Sequence, residues 1–135
     1  MRGAVHHVDL TVKDPEASRA FYEAVLGFMG YVTKDVHARG FDMDLATREG
    51  FCSIGVMRAQ GDNAGRAHDR YSPGLHHIAW NAASRDDVDA LYALLQRIGA
   101  TILDPPAEYP QYGACYYAVF FADPDGLKLE YVHKP

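Results

Sequence analysis

Cysteine is scarce in this chain: Cys52 and Cys115 are the only two among 135 residues, and they lie far apart outside any CxxC pattern. A disulfide framework is therefore not expected, and two reduced, partly buried thiols are. Basic runs are lacking as well. The net charge is −5 and no Lys/Arg block occurs, which removes the electrostatic footprint of a nucleic-acid or anionic-membrane binder. No apolar run approaches the ~18 residues of a membrane span, and the opening MRGAVHHVDL lacks the apolar stretch of a signal peptide. The chain reads as cytoplasmic, with a small molecule as its expected partner and neither nucleic acid nor membrane. Hydrophobic residues are plentiful, at 48%, enough for a real interior in one domain or in two small halves.

Residues 5 to 12, VHHVDLTV, alternate with Val8, Leu10 and Val12 on one face and His7, Asp9 and Thr11 on the other, the pattern of a half-buried strand. Asp14-Pro15 supplies an N-cap and a proline at the first helical position. Phe21, Tyr22, Val25 and Leu26 then form an apolar stripe, and Gly27 is expected to end the helix. Three β-type segments follow, around residues 30 to 35, 41 to 46 and 52 to 58. Residues 59 to 74 collect Gly, Asp, Asn and Pro and mark a linker.

What comes next repeats what came before. Residues 77 to 82 alternate as the first strand does, Ser84 with Asp87 resembles a capping box, and Val88, Leu91, Tyr92, Leu95 and Ile98 stripe a helix that stops at Gly99. Short β-type runs are expected at 101 to 103, 115 to 121 and 127 to 132. A Pro/Tyr-rich loop (104 to 113) precedes the last hairpin, whose turn is Asp123-Pro124-Asp125-Gly126. His7 maps to His77, Asp14 to Ser84 and Tyr22 to Tyr92, all seventy residues on. A matched strand, cap, helix and stop point to a duplicated βαβββ unit. The fold class is thus α+β: two tandem modules, about 5–58 and 75–134, in a single domain. They are expected to form a curved, open-barrel mixed sheet with helices on its outer face and a concave ligand cavity.

Strand parity puts His7, Asp9 and Thr11, then His77, Ala79 and Asn81, then Lys128, Glu130 and Val132 on the inner face, leaving the greasier set for the helices. Glu130 is the only carboxylate of a strand otherwise suited to a core, so it should be exposed or held by a cation. A strand-borne His/His/Glu trio has the composition of a facial triad with open positions on the metal. His6 and His76 are expected to point the opposite way, and His37 and His68 to be solvated in loops. Lys128 suits either an anion or a partner such as Glu130 or Asp9. Tyr109, Tyr112 and Tyr116 suit either an aromatic wall or the packing of the proline-rich loop.

The segments HVDLTVKDPEASRAFYEAVLGF, LHHIAW and FFADPDGLKLEYV, in this order and spacing, resemble the vicinal oxygen chelate superfamily. It includes glyoxalase I, bleomycin-resistance proteins, fosfomycin-resistance thiol transferases and extradiol dioxygenases. The resemblance implies one divalent metal (Mn, Fe, Zn, Ni or Co) on His7, His77 and Glu130, and a homodimer. Two departures stand out. Glyoxalase I adds a carboxylate on the last strand of its first module, where this chain has only Cys52 to Met57 without an acid or imidazole. Dioxygenases and fosfomycin transferases commonly carry a tyrosine ten residues before the terminal glutamate, where this chain has Phe120, with Tyr116 able to reach the same space. The expected function is a metal-dependent enzyme of lyase, transferase or dioxygenase type. It would act on an oxygen-chelating substrate, with Asp9 as general base and Thr11, Asn81, Tyr116, Phe120 and Lys128 around the ligand. The alternative is a metal-free sequestering protein of the bleomycin-resistance kind.

Overall fold

The alternating run near the start folds as strand β1 (His7–Val12), and Asp14 turns the chain into helix α1 (Pro15–Phe28). Its carboxylate accepts from the Glu16 and Ala17 backbone N–H groups at 3.1 and 3.4 Å, satisfying two donors that the helix cannot pair internally. In this computed structural model, which describes residues 2–135, the chain divides into two units on either side of residues 66 and 67. The first unit continues with β2 (Val32–His37), β3 (Gly40–Thr47) and β4 (Gly50–Arg58). Its sheet runs β1-β4-β3-β2, with β1 parallel to β4 and the other pairs antiparallel.

The second unit repeats that order: β5 (His77–Asn81), α2 (Arg85–Arg97), β6 (Thr101–Glu108), β7 (Tyr117–Ala122) and β8 (Lys128–His133). A single 3₁₀ turn, Pro110–Tyr112, precedes β7. The sheet runs β5-β8-β7-β6, again with one parallel pair, β5 with β8. The molecule is therefore α+β, with two four-stranded mixed sheets, one per unit, and no helix among the described residues is long and apolar enough to cross a membrane.

Both helices end in the same way, but not where the sequence suggested for the first. Gly27 lies inside α1. The stop is Gly30, at φ +97°, whose N–H donates to Gly27 O while Tyr31 N–H donates to Leu26 O. Gly99, at φ +70°, does the same for α2, with Ala100 N–H on Leu95 O. These are paired Schellman caps, and they need positive φ at the residue after the cap, a demand Gly27 does not meet from within the helix. A second boundary also shifts. β6 runs on through Pro105 and Pro106 to Glu108 where a loop was expected. It is the edge strand, so prolines without N–H groups are tolerated, at the cost of register slips after Ile102 and Asp104.

Each helix packs on one face of its own sheet. Tyr22, Val25 and Leu26 meet the set Leu10, Val12, Phe41, Met43, Ile54 and Val56 in the first unit. Val88, Leu91 and Leu95 pair with Val119, Phe121, Leu129 and Tyr131 in the second; all are 4% exposed or less. Asp87 ties the start of α2 to this layer by accepting from Ala83 N–H at 2.8 Å and from the Tyr131 hydroxyl at 2.6 Å. Tyr22 is fully buried whereas its repeat partner Tyr92 is half-buried, so the two cores are related but not copies.

The β7–β8 turn is built around Asp123, 3% exposed, whose Oδ1 accepts from the N–H groups of Asp125 (2.9 Å) and Leu127 (2.8 Å). Gly126, at φ +86°, lets the chain reverse beneath that carboxylate. Replacing Asp123 by alanine strands two backbone donors. It should lower stability by about 2–3 kcal/mol, read as a fall in the urea midpoint, whereas Asp123→Asn, which keeps an acceptor, should recover part of the loss.

Candidate functional site

Parallel pairing of β5 and β8 sets His77 opposite Lys128 and Ala79 opposite Glu130. Because Ala79 carries only a methyl group, the His77 ring reaches diagonally across it, and its Nε2 comes 3.0 Å from Glu130 Oε2. Glu130 is 2% exposed. A carboxylate so far from water must be hydrogen-bonded on both oxygens or neutralised, and the second oxygen, Oε1, accepts from the Tyr116 hydroxyl. Tyr116 lies just before β7, brought there by a turn in which Gly113 and Cys115 both have positive φ, and its carbonyl accepts from Tyr109 N–H at 2.8 Å. Burial, and then the hydrogen bond to Glu130, raise the Tyr116 hydroxyl well above the usual tyrosine range, so it stays a donor at neutral pH.

Phe120 is the register partner of Glu130 on β7 and is 5% exposed. Tyr109 meets its ring edge-on at 5.2 Å between centroids, and Lys128 Nζ sits 4.5 Å from its centroid. Tyr112 stacks on Tyr109 at 5.8 Å and 21° and touches Tyr116 at 5.5 Å. The three tyrosines thus pack against one another and, through Tyr109 and Tyr116, over Ala118, Phe120 and Val132. His77, Tyr116, Phe120, Lys128 and Glu130 are gathered on one face of the second sheet. Asn81 ends β5 opposite Val132 and is exposed.

In the first unit, His7, Asp9 and Thr11 are exposed on the face of β1 turned away from α1. His7 faces Ser53 across the strand pair, so no carboxylate stands beside it on β4. Asp9, Gly55, Asp42 and Asp35 form one rung across the sheet. A Cβ at Gly55 would lie 2.2 Å from Asp9 Oδ1 and 3.0 Å from Asp42 Oδ1, so the bare glycine is what lets both carboxylates lean inward.

Asp35, His37 and Asp42 bring donor atoms within 4.8 Å of one another, a grouping the sequence reading missed. His37 closes β2 rather than lying in a loop, and its Nε2 is 3.7 Å from Asp42 Oδ2. The alternation Phe41-Asp42-Met43-Asp44-Leu45 was the available signal, since it puts both acids on the face away from the helix.

The neighbouring histidines also depart from expectation. His6 and His76 precede their strands, so alternation does not bind them. The His6 and His7 Nδ1 atoms lie 3.1 Å apart, and those of His76 and His77 2.7 Å apart. Partial desolvation, then the positive charges of His77, Lys128 and Arg70, hold His76 below the usual histidine range. Both cysteines are free thiols, and Cys115 is exposed rather than partly buried.

The sequence profile of the Glyoxalase/Bleomycin resistance protein/Dioxygenase superfamily matches residues 4–131. An uncharacterized Bacillus subtilis protein, YqjT, is 30% identical over 128 residues, 95% of this chain and 97% of that one. A Bacillus halodurans protein named for the glyoxalases has a crystal structure that superposes with a TM-score of 0.82 at 30% identity, covering 98% and 97% of the two chains. A lactoylglutathione lyase from Agrobacterium tumefaciens, 19% identical, shares the fold at a TM-score of 0.62 over 97% and 93%. The chain belongs to the Glyoxalase/Bleomycin resistance protein/Dioxygenase superfamily.

Proposed function

We propose that this chain is a divalent-metal-dependent enzyme of its superfamily, of lyase, transferase or dioxygenase type, acting on a small oxygen-chelating substrate. The observation that carries the proposal is the buried Glu130 with His77 at 3.0 Å. Two ligands, each about 2.0–2.2 Å from one ion and roughly at right angles, stand about 3 Å apart, so this donor pair fits a metal in place of the shared proton. His7 is the third ligand nominated by the repeat and by the family resemblance; it enters on those grounds alone. Such an ion would supply Lewis acidity to adjacent substrate oxygens.

The chain's own residues divide the remaining work. Tyr116 fixes the rotamer of Glu130 by donating to the oxygen that His77 leaves free. Phe120 and the tyrosines beside it give an apolar flank, Lys128 a charge, and Thr11 and Asn81 polar contacts for orientation. Asp9 is the residue proposed to move a proton. With Ser53 facing His7, the extra carboxylate of glyoxalase I is absent, which favours a reaction other than that one. A cytoplasmic homodimer is part of the same proposal.

One observation favours a second reading, a metal-free binding protein: both oxygens of Glu130 already have protein partners. Elemental analysis of untagged protein purified without chelator separates the two. One ion per chain is expected, and His77→Ala and Glu130→Gln should each reduce it to background; a metal-free wild type that also fails to take up Mn²⁺ or Zn²⁺ in titration would leave the sequestering reading standing. Tyr116→Phe should weaken Mn²⁺ binding about tenfold, measured by the loss of free-ion EPR signal, and should also lower the thermal midpoint of the metal-free protein, because it leaves the buried Glu130 Oε1 without its donor.

A further inference from the structure

Lys128, on the face that carries His77 and Glu130, has no counter-ion among the described residues. It is half-buried, with its Nζ over the Phe120 ring at 4.5 Å. It forms no salt bridge among the described residues. The carboxylate best placed by spacing to answer it, Glu130 two residues along the same strand face, is occupied on Oε2 by His77 and on Oε1 by Tyr116. An ammonium that is partly out of water and has only a ring face for company is undercompensated.

A second cation stands beside the same histidines. The Arg70 guanidinium lies over Tyr71 at 4.9 Å, the Tyr71 ring meets His76 at 5.9 Å, and His76 meets His77 at 5.0 Å. Arg70 Nε is buried and without a hydrogen-bond partner, an N–H that is aimed at no protein acceptor. A divalent ion on His77 and Glu130 would add to this imbalance, since one carboxylate offsets only half its charge.

We infer that the ligand of this face carries an oxyanion, a carboxylate or a phosphoryl group, and that Lys128 receives it with Arg70 as the supporting cation. This deepens the proposed function by naming the charge of the substrate, and it rests on that reading only for the metal's share of the field. Selection for an anion follows because a neutral isostere would leave the Lys128 ammonium desolvated without return, whereas a charge-assisted hydrogen bond is among the stronger polar contacts.

The test uses benzoate, benzamide and inorganic phosphate, titrated by calorimetry into the full chain, once metal-free after chelation and once loaded with Mn²⁺. Benzoate and benzamide share size and ring, so their ratio reads charge alone. Benzoate or phosphate is expected to bind the metal-free protein about tenfold tighter than benzamide. Raised salt should erode that preference, Lys128→Met should abolish it, and Lys128→Arg should keep it. Benzoate winning identifies a carboxylate, phosphate winning a phosphoryl group. Equal binding of benzoate, phosphate and benzamide to the wild type, or a preference that survives Lys128→Met, overturns the inference. If Lys128→Met does not fold, the wild-type ratio and its salt dependence still decide. Failure of the metal reading would show separately, as absent Mn²⁺ binding with the charge preference intact.

Discussion

Glu130 has 2% of its surface open to solvent and sits between Leu129 and Tyr131 in a strand that is otherwise core. Taking a carboxylate out of water costs several kcal/mol unless each oxygen is met by a donor. Here one donor comes from β5 and the other from the turn before β7, so a single side chain ties three parts of the second unit together. The parallel register of β5 on β8, the small residue at Ala79 and the positive-φ turn at Gly113 and Cys115 all serve that arrangement. Loosening any of them would leave a buried oxygen without its partner.

The same βαβββ plan is used twice, with the same local solutions. Asp14 and Ser84 cap the helix starts, Gly30 and Gly99 close the ends, and one parallel pair brings the last strand of each unit beside its first. What differs is the face left free of the helix. In the first unit it is open and acidic, with Asp9, Asp42 and Asp35 along one rung and Gly55 giving room between them. In the second it is largely covered by aromatic rings and holds one buried carboxylate amid cations. Duplication kept the frame, and the two faces took on different electrostatic character.

Local rules of chain chemistry were readable in the residues: alternation in VHHVDLTV, caps at Asp14 and Ser84, the reversing turn at Asp123 to Gly126. Each depends on neighbours a few positions away, so sequence spacing carries it. Gly27 misled because it and Gly30 both lie where a stop was plausible, and only the cap hydrogen bonds distinguish the glycine that takes positive φ. Pro105 and Pro106 misled because a proline's fate in a strand depends on whether that strand has a neighbour on both sides, which is a property of sheet order.

By itself, then, the sequence determined the element order, the duplication, the shared strand face of His77 and Glu130, and the kinship that those motifs announce. Only tertiary structure decided that Glu130 is buried and doubly bonded, that Tyr116 is the hydroxyl that reaches it, that Lys128 is left with a ring rather than a carboxylate, and that Asp35, His37 and Asp42 gather on one hairpin. The reason is physical. Periodicity fixes which way a side chain points, but which atoms it meets depends on strand register, on the size of the residue opposite and on turns that return distant chain to the same face.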